Sequence, residues 1–341
     1  MTERVLTQRE LNRALLARQL LLERTRLPLH RAVERMGCVQ SQYAPSTYVG
    51  LWSRVAGLER DAVTRALERR TLVQGTLMRN TIHVVSRRDY WPLVIAIREE
   101  RRAWSQRVQK PEERKLRRAA ERLGRFLAGQ PRRQREIQEA GLWLPGIGLW
   151  TDVVRVPPCG TWERRRADLF GLAEEWVGPE PKLAELDAQE HLLRRYLGAF
   201  GPAPRTDIAD WAGMRVGALR GALERMDLRR FRDEQGRELL DLPRAPLPPP
   251  DTPAPVRFLP TFDATLLVHA RRTGILAEDH RKRIFHVRNP QSDPTFLVDG
   301  RVAGIWRHKD GRIVLEPFGR LARDSRLELA SEAERLAAFH A

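Results

Sequence analysis

Two glutamines flank a serine in the stretch Gly37-Cys38-Val39-Gln40-Ser41-Gln42-Tyr43. A carboxamide can hold and orient a water molecule through its oxygen and its NH2 group, but it takes no proton at neutral pH. Chemistry built on Gln40 and Gln42 therefore requires a bond that is already weak, so that fixing the nucleophile suffices. Side chains two apart share a face in an extended segment and diverge in a helix. Gly37 before the pair and Pro45 after it predict a non-helical segment, and so amides that can converge. A Gln-x-Gln spacing alone is common among solvated side chains, so the rest of the chain has to decide.

That remainder offers little competing chemistry. It holds no Walker A loop, no G-x-S-x-G, no H-E-x-x-H and no paired C-x-x-C. Cys38 and Cys159 are too few for a zinc site or a disulfide framework and read as reduced thiols. The 8 histidines are scattered, and His280 and His286 have no third ligand nearby in sequence, so neither a metal nor another cofactor is expected. Arg79, Thr81 and His83 alternate and predict one shared strand face, turned either to DNA or to solvent. Arg271, Arg272, Arg281, Lys282 and Arg283 form basic patches suited to phosphate. Leu144-Pro145-Gly146-Ile147-Gly148 has the form of a phosphate-gripping hairpin between two helices. The β-branched stretch from Trp150 to Val156, ending at Pro157-Pro158, leaves no second helix there, and a plain loop is expected.

The charge points to the partner. The 341 residues include 61 Lys and Arg against 44 Asp and Glu, a formal net charge of +17. Only Lys110, Lys115, Lys182, Lys282 and Lys309 are lysine; GC-rich coding favours arginine over lysine, but it does not explain an excess over acids. Such a field attracts polyanions, of which nucleic acid is the commonest. A membrane surface fits less well, because no helix is basic on one face and strongly apolar on the other. The charged stretch Met1 to Glu10 is no secretory signal, and no run of 18 apolar residues exists. A cytoplasmic, nucleoid-associated protein, monomeric by default, is expected.

The elements that must position these residues repeat a theme. Thr7-Gln8-Arg9-Glu10 predicts a capping box opening a helix through Leu22. Pro28 starts a second helix to Met36, and Glu59 to Arg69 reads as a third. Leu72 to Val85 turns β-like, with Gly75 and Asn80 as turn residues. Helices follow at Arg88–Gln109 and Pro111–Gly129, then Arg133–Ala140, strands in Trp150–Val156, and helix again over Thr161–Trp176. The clearest signal is a helix Asp207–Ala212 capped by Thr206, a turn at Gly213, a helix Arg215–Met226, and a hairpin from Leu228–Phe231 to Glu238–Leu242, which is helix-turn-helix plus wing. Helix, helix, hairpin thus recurs three times. Pro243 to Pro255 is a stiff proline-rich linker. Beyond it, Thr295–Val298, Val302–Arg307 and Ile313–Glu316 are short strands joined by Asp299-Gly300 and Asp310-Gly311, both strong hairpin turns, before a helix Ser331–Phe339. The fold class is α+β, mainly α. The expected units are 1–110, 111–180, 181–242, the linker 243–255, and a barrel-like unit over 256–341.

Several blocks, in order, resemble the AlkZ/YcaQ family of bacterial DNA glycosylases. They are Val39-Gln40-Ser41-Gln42-Tyr43-Ala44-Pro45, Met78-Arg79-Asn80-Thr81-Ile82-His83, Val156-Pro157-Pro158-Cys159-Gly160-Thr161-Trp162, Leu259-Pro260-Thr261-Phe262-Asp263, His280-Arg281-Lys282-Arg283 and Leu297-Val298-Asp299-Gly300-Arg301-Val302-Ala303-Gly304. The resemblance implies three tandem winged helices in a C-shape plus a small antiparallel β-barrel. It also implies excision of N-alkylated purines, including bulky adducts and interstrand crosslinks, and catalysis by Gln40 and Gln42. The family pattern ends in Gln in the AlkZ branch, as here, and places an apolar residue where this chain has Ser41.

The chemistry and the resemblance agree. Alkylation at N7 or N3 makes the purine a cationic leaving group, so the glycosidic bond breaks without acid assistance, and an amide that fixes the attacking water is enough. The expected activity is that of a monofunctional glycosylase acting on double-stranded DNA. A winged-helix regulator without enzymatic activity would explain the helix-turn-helix equally well, and an RNA-binding or RNA-processing protein is a further class.

Overall fold

Thr7 opens the first long helix as its sequence predicts, with its hydroxyl accepting from the Glu10 amide while the Glu10 carboxylate accepts from the Thr7 amide. The computed structural model describes residues 3–110, 112–143, 146–267, 269, 274–286 and 292–341. In chain order, β1 (Val5–Leu6), α1 (Gln8–Arg18), α2 (Leu29–Arg35), β2 (Val39–Gln40), α3 (Ala44–Trp52) and α4 (Arg60–Glu68) lead to the hairpin β3 (Leu72–Thr76) and β4 (Ile82–Ser86), then to the long α5 (Arg87–Gln109). Next come α6 (Glu113–Leu127), β5 (Arg132–Arg133), α7 (Gln134–Glu139), β6 (Val153–Arg155), β7 (Leu169–Leu172) and α8 (Ala173–Val177). The helices α9 (Glu185–Phe200), α10 (Arg205–Ala212) and α11 (Arg220–Glu224) precede the hairpin β8 (Arg229–Asp233) and β9 (Glu238–Asp241). Beyond the proline-rich stretch lie β10 (Arg257–Leu259), α12 (Arg281–Ile284), β11 (Thr295–Val298), β12 (Arg301–Lys309), β13 (Arg312–Pro317) and α13 (Arg323–His340).

Several elements depart from the sequence expectation: α1 ends at Arg18 rather than Leu22, and Gly75 lies within β3, paired with His83, rather than in a turn. Pro45 does not only end the extended segment; it sits in the first turn of α3, where its missing N–H goes unused and its fixed φ suits a helix. The helix expected over Thr161–Trp176 is confined to α8. Residues 169–172 form β7 instead, pairing with both β6 and β5, because those edges would otherwise leave backbone groups unpaired. The helix expected from Arg215 to Met226 is a 3-10 turn, Val216–Leu219, running into the short α11, and Pro204 rather than Thr206 stands at the cap of α10.

The sheets run across the units drawn from sequence. One six-stranded sheet has the order β2-β4-β3-β6-β7-β5, so the first hairpin and the second share a ladder through β3 and β6. The N-terminal β1 pairs in parallel with β8 beside the third hairpin. Arg18 of α1 makes a fully buried ion pair with Asp241 of β9 at 2.6 Å; removing either partner would leave an uncompensated buried charge, at a cost of about 3–5 kcal/mol. The C-terminal sheet has the linear order β10-β11-β12-β13. Among the described residues its outer strands do not pair with each other, so it is an open sheet where the resemblance implies a barrel. Its turns fall at Asp299-Gly300 and Asp310-Gly311 as expected, and α13 is longer than expected.

Two cores flank the six-stranded sheet. One joins Val73, Val85, Trp91 and Leu93 to Leu192, Tyr196, Phe200 and Trp211 of α9 and α10. The other joins Tyr48, Trp52, Val63 and Leu67 of α3 and α4 to Phe258, Phe296, Trp306 and Leu336 of the C-terminal unit. Each such fully buried side chain contributes roughly 1.5–3 kcal/mol, and together they clamp β2, which lies between the cores. No helix of the described residues is long and apolar enough to cross a membrane.

Candidate active site

The Gln40–Gln42 segment is placed by one turn and one ladder. Gly37, at φ +83, turns the chain out of α2. β2 then pairs antiparallel with β4, Val39 opposite Val84 and Gln40 opposite His83. The Ser41 amide extends the ladder by donating to the Ile82 carbonyl at 2.7 Å. Ser41 points inward: its hydroxyl accepts from Thr47 Oγ1 and from Gln74 Nε2, both at 2.9 Å. Ser41 is thus buried, and its hydroxyl accepts two hydrogen bonds. Gln40 and Gln42 bond instead to the hairpin that β4 closes, Gln40 to Arg79 and Gln42 to the Ile82 amide.

The two amides are not equivalent. Gln42 is exposed, and its Oε1 accepts from the Ile82 amide at 3.2 Å. Gln40 is only 9% exposed, and its Oε1 accepts from Arg79 Nη2 at 3.0 Å. Arg79 in turn donates through Nη1 to the Trp211 carbonyl at 2.5 Å. Because a guanidinium and a backbone N–H can only donate, the contacts fix both amide oxygens toward the protein. Each oxygen keeps a second lone pair and each amide keeps its NH2 for a ligand. Neither amide is hydrogen-bonded to a carboxylate among the described residues.

Arg79, Thr81 and His83 do not share one open face. Residues 78–80 form a 3-10 turn that breaks the strand alternation. Arg79 is folded back beneath the hairpin, Thr81 Oγ1 donates to the Met78 carbonyl at 3.1 Å, and His83 is 1% exposed. Burial, and then the nearby Arg79 charge, push His83 down to about 3. It is neutral, with Nδ1–H donating to the Thr81 carbonyl at 3.0 Å. A buried, neutral imidazole under the strand cannot meet a phosphate, and it is too weak a base to deprotonate water. Arg79 is also pulled below its ordinary range by burial, yet a guanidinium stays charged in a protein.

Arg281, Lys282 and Arg283 are exposed on α12. Arg281 pairs with Glu278 at 2.9 Å and Arg283 lies over the Phe318 ring at 4.0 Å. Among the described residues they make no hydrogen bond to the Gln40–Gln42 segment. Arg271 and Arg272 lie outside the described residues. A further basic surface went unnoticed in the sequence. Arg114, Arg118, Arg122 and Arg125 are all exposed on α6 and make no ion pair among the described residues. Their spacing puts them in one row, about 16 Å long at 1.5 Å per residue. The amphipathic pattern of α6 was the signal that could have found it.

Distant sequence blocks converge on this segment. Gln40 lines a narrow cleft with Pro260, Thr261, Phe262 and Asp263. Asp263 is held there by a buried ion pair with Arg54, 2.9 Å, just beyond α3. On the Tyr43 side a cavity of about 290 Å3 is walled by Tyr43, Trp162, Arg165, Trp306, His308 and His340. Both cysteines are buried and free, and burial pushes Cys38 up to about 12, which makes it a poor nucleophile. Among the described residues no group of three His, Cys, Asp or Glu could hold a metal ion.

A model of the family "DNA glycosylase AlkZ-like" matches residues 33–339. The fold is similar to that of the solved Streptomyces sahachiroi DNA glycosylase AlkZ, with a TM-score of 0.81 at 20% sequence identity, covering 98% of this chain and 97% of that one. No curated protein matches the chain.

Proposed function

The chain belongs to the AlkZ-like DNA glycosylase family, and on that premise we propose that it hydrolyses the N-glycosidic bond of purines made cationic by alkylation at N7 or N3. The observation that carries this reading is the Gln40–Gln42 strand itself. One amide is open to solvent, the other is held in a fixed orientation by Arg79, and among the described residues no acid bonds to either. Such a site can aim a water but cannot protonate a leaving group or deprotonate a nucleophile. It suits a substrate whose base already carries positive charge.

In this mechanism the C1′–N bond breaks as its electron pair moves onto the purine and neutralises it. The sugar develops oxocarbenium character, stabilised by the amide oxygen lone pairs that Arg79 and Ile82 leave free. A water held by Gln42 attacks C1′, and its proton leaves to solvent, which reaches Gln42 directly. Fixing such a nucleophile in a near-attack position is worth several kcal/mol of barrier. Normal purines, with poor leaving groups, stay intact. The exposed position of Gln42 also favours an open site that tolerates bulky adducts and interstrand crosslinks without a closed pocket for the base.

The protein would act as a monomer at the nucleoid, holding duplex DNA by phosphate contacts. Arg281, Lys282 and Arg283 on α12 and the α6 arginine row supply suitable charge. A regulator without enzymatic activity has no observation in its favour beyond the helix-turn-helix at α10. The deciding experiment incubates the protein with a duplex carrying 7-methylguanine and measures free base. Release of 7-methylguanine, with none from the undamaged duplex, is expected; intact duplex binding without release overturns the proposal.

A further inference from the structure

Arg79 occupies an unfavourable backbone position. Both Arg79 (φ 54) and Asn80 (φ 58) are in the left-handed region, in a loop closed by Leu77 N–H to the Thr81 carbonyl at 3.0 Å. Asn or Gly suits that conformation; an arginine is disfavoured there unless its side chain is held by surrounding structure. Here it is held on both sides, by the Gln40 amide oxygen and by the Trp211 carbonyl at the last turn of α10. Gly213, which ends α10 at φ +71, packs on the same residue: a Cβ there would come within 2.9 Å of the Arg79 amide nitrogen and 3.1 Å of its Cα. The helix-turn-helix corner thus sits directly on Arg79, and Arg79 sits directly on Gln40.

We propose that Arg79 is a positioning residue that fixes the Gln40 amide and ties its orientation to the seating of the α10 helix-turn-helix. The inference rests on the proposed role of Gln40. The guanidinium is planar, so Nη1 and Nη2 lie on a rigid fork: one end is set by a main-chain carbonyl of α10, the other sets the amide. Gln40 then presents its NH2 and one lone pair outward without rotating. A shift of α10 on binding duplex displaces the Trp211 carbonyl and with it the amide. A lysine has one point of charge and cannot span both acceptors, so Arg79→Lys should restore only part of the function.

The test is single-turnover release of 7-methylguanine together with duplex affinity, on protein whose thermal unfolding confirms the fold. Arg79→Ala is expected to slow release about 10–100-fold, the scale of a misplaced catalytic group, with duplex Kd changed less than threefold. Guanidinium ion added to that variant should restore part of the rate. In a double-mutant cycle, Arg79→Ala in a Gln40→Ala background should add no further loss, because Arg79 acts through Gln40. Additive losses, or a loss expressed wholly as weaker duplex binding, overturn the inference. If the unsubstituted protein itself releases no base, the proposed activity fails. The Gln40 side-chain amide resonances then test the inference separately: an unchanged NMR signal in Arg79→Lys overturns it, a shifted one supports it.

Discussion

The Ser41 hydroxyl accepts the Gln74 carboxamide at 2.9 Å from the far side of the strand that carries both candidate catalytic amides. The same oxygen accepts from Thr47, so one buried atom joins β2, β3 and α3 and sets which way the strand faces. Ser41→Ala removes the shared acceptor and leaves two buried donors, costing about 1–3 kcal/mol. Urea unfolding should show that loss as a lower midpoint with an unchanged slope. An unaltered midpoint would mean the network does not hold the strand.

Gln42 is exposed and Gln40 is not. Gln42→Ala should leave stability within about 0.5 kcal/mol, as for other surface positions, while lowering base release by about 100-fold. Gln40→Ala should lower both release and stability, because it strips Arg79 of a buried partner. Equal release by Gln42→Ala and the parent protein would remove the amide mechanism even if the activity stands.

Burial holds three histidines neutral: His83 at about 3, His340 at about 4, and His269 well below its ordinary value. In the unfolded chain each takes a proton near pH 6.5. Between pH 6.5 and 4 the unfolded state therefore binds more protons, and stability is full above 6.5 and falls as the pH drops. Unfolding at pH 7.5 and pH 4.5 should show this decline, and His340→Gln should make it shallower. A profile that His340→Gln leaves as steep would contradict the assignment.

The α6 row predicts a salt effect. Each phosphate contact adds about 0.9 to the slope of log K against log salt. Replacing Arg114, Arg118, Arg122 and Arg125 by alanine should make that slope shallower by about 3–4 while leaving the single-turnover rate at saturation intact. An unchanged slope would show that this face does not meet the duplex.

Much of the local structure was legible in the chain. The Thr7–Glu10 box, the Asp-Gly hairpin turns and the third hairpin each depend on contacts within a few residues, and Gly37 and Pro45 marked the extended Gln40–Gln42 segment before its ladder partner on β4 was known. What lay beyond reach depends on partners far apart. The 161–176 stretch has helical composition, yet residues 169–172 are drawn into a strand by the open edges of β6 and β5. His83 alternates like a surface residue, yet it is buried beneath the ladder once the two cores close.

The chain alone, before any fold, offered two carboxamides, a polyanion-seeking charge of +17 and blocks resembling one enzyme family, because each of these is a matter of residue type and order. Folding, by contrast, set how far each of the two amides is exposed. Gln42 is exposed while Gln40 is only 9% exposed, with Arg79 reaching Gln40 from the hairpin loop and Trp211 holding Arg79 from α10. Hydrogen bonds between residues so distant in the chain leave no periodicity or local preference to read; they exist only once the cores have brought the backbones together.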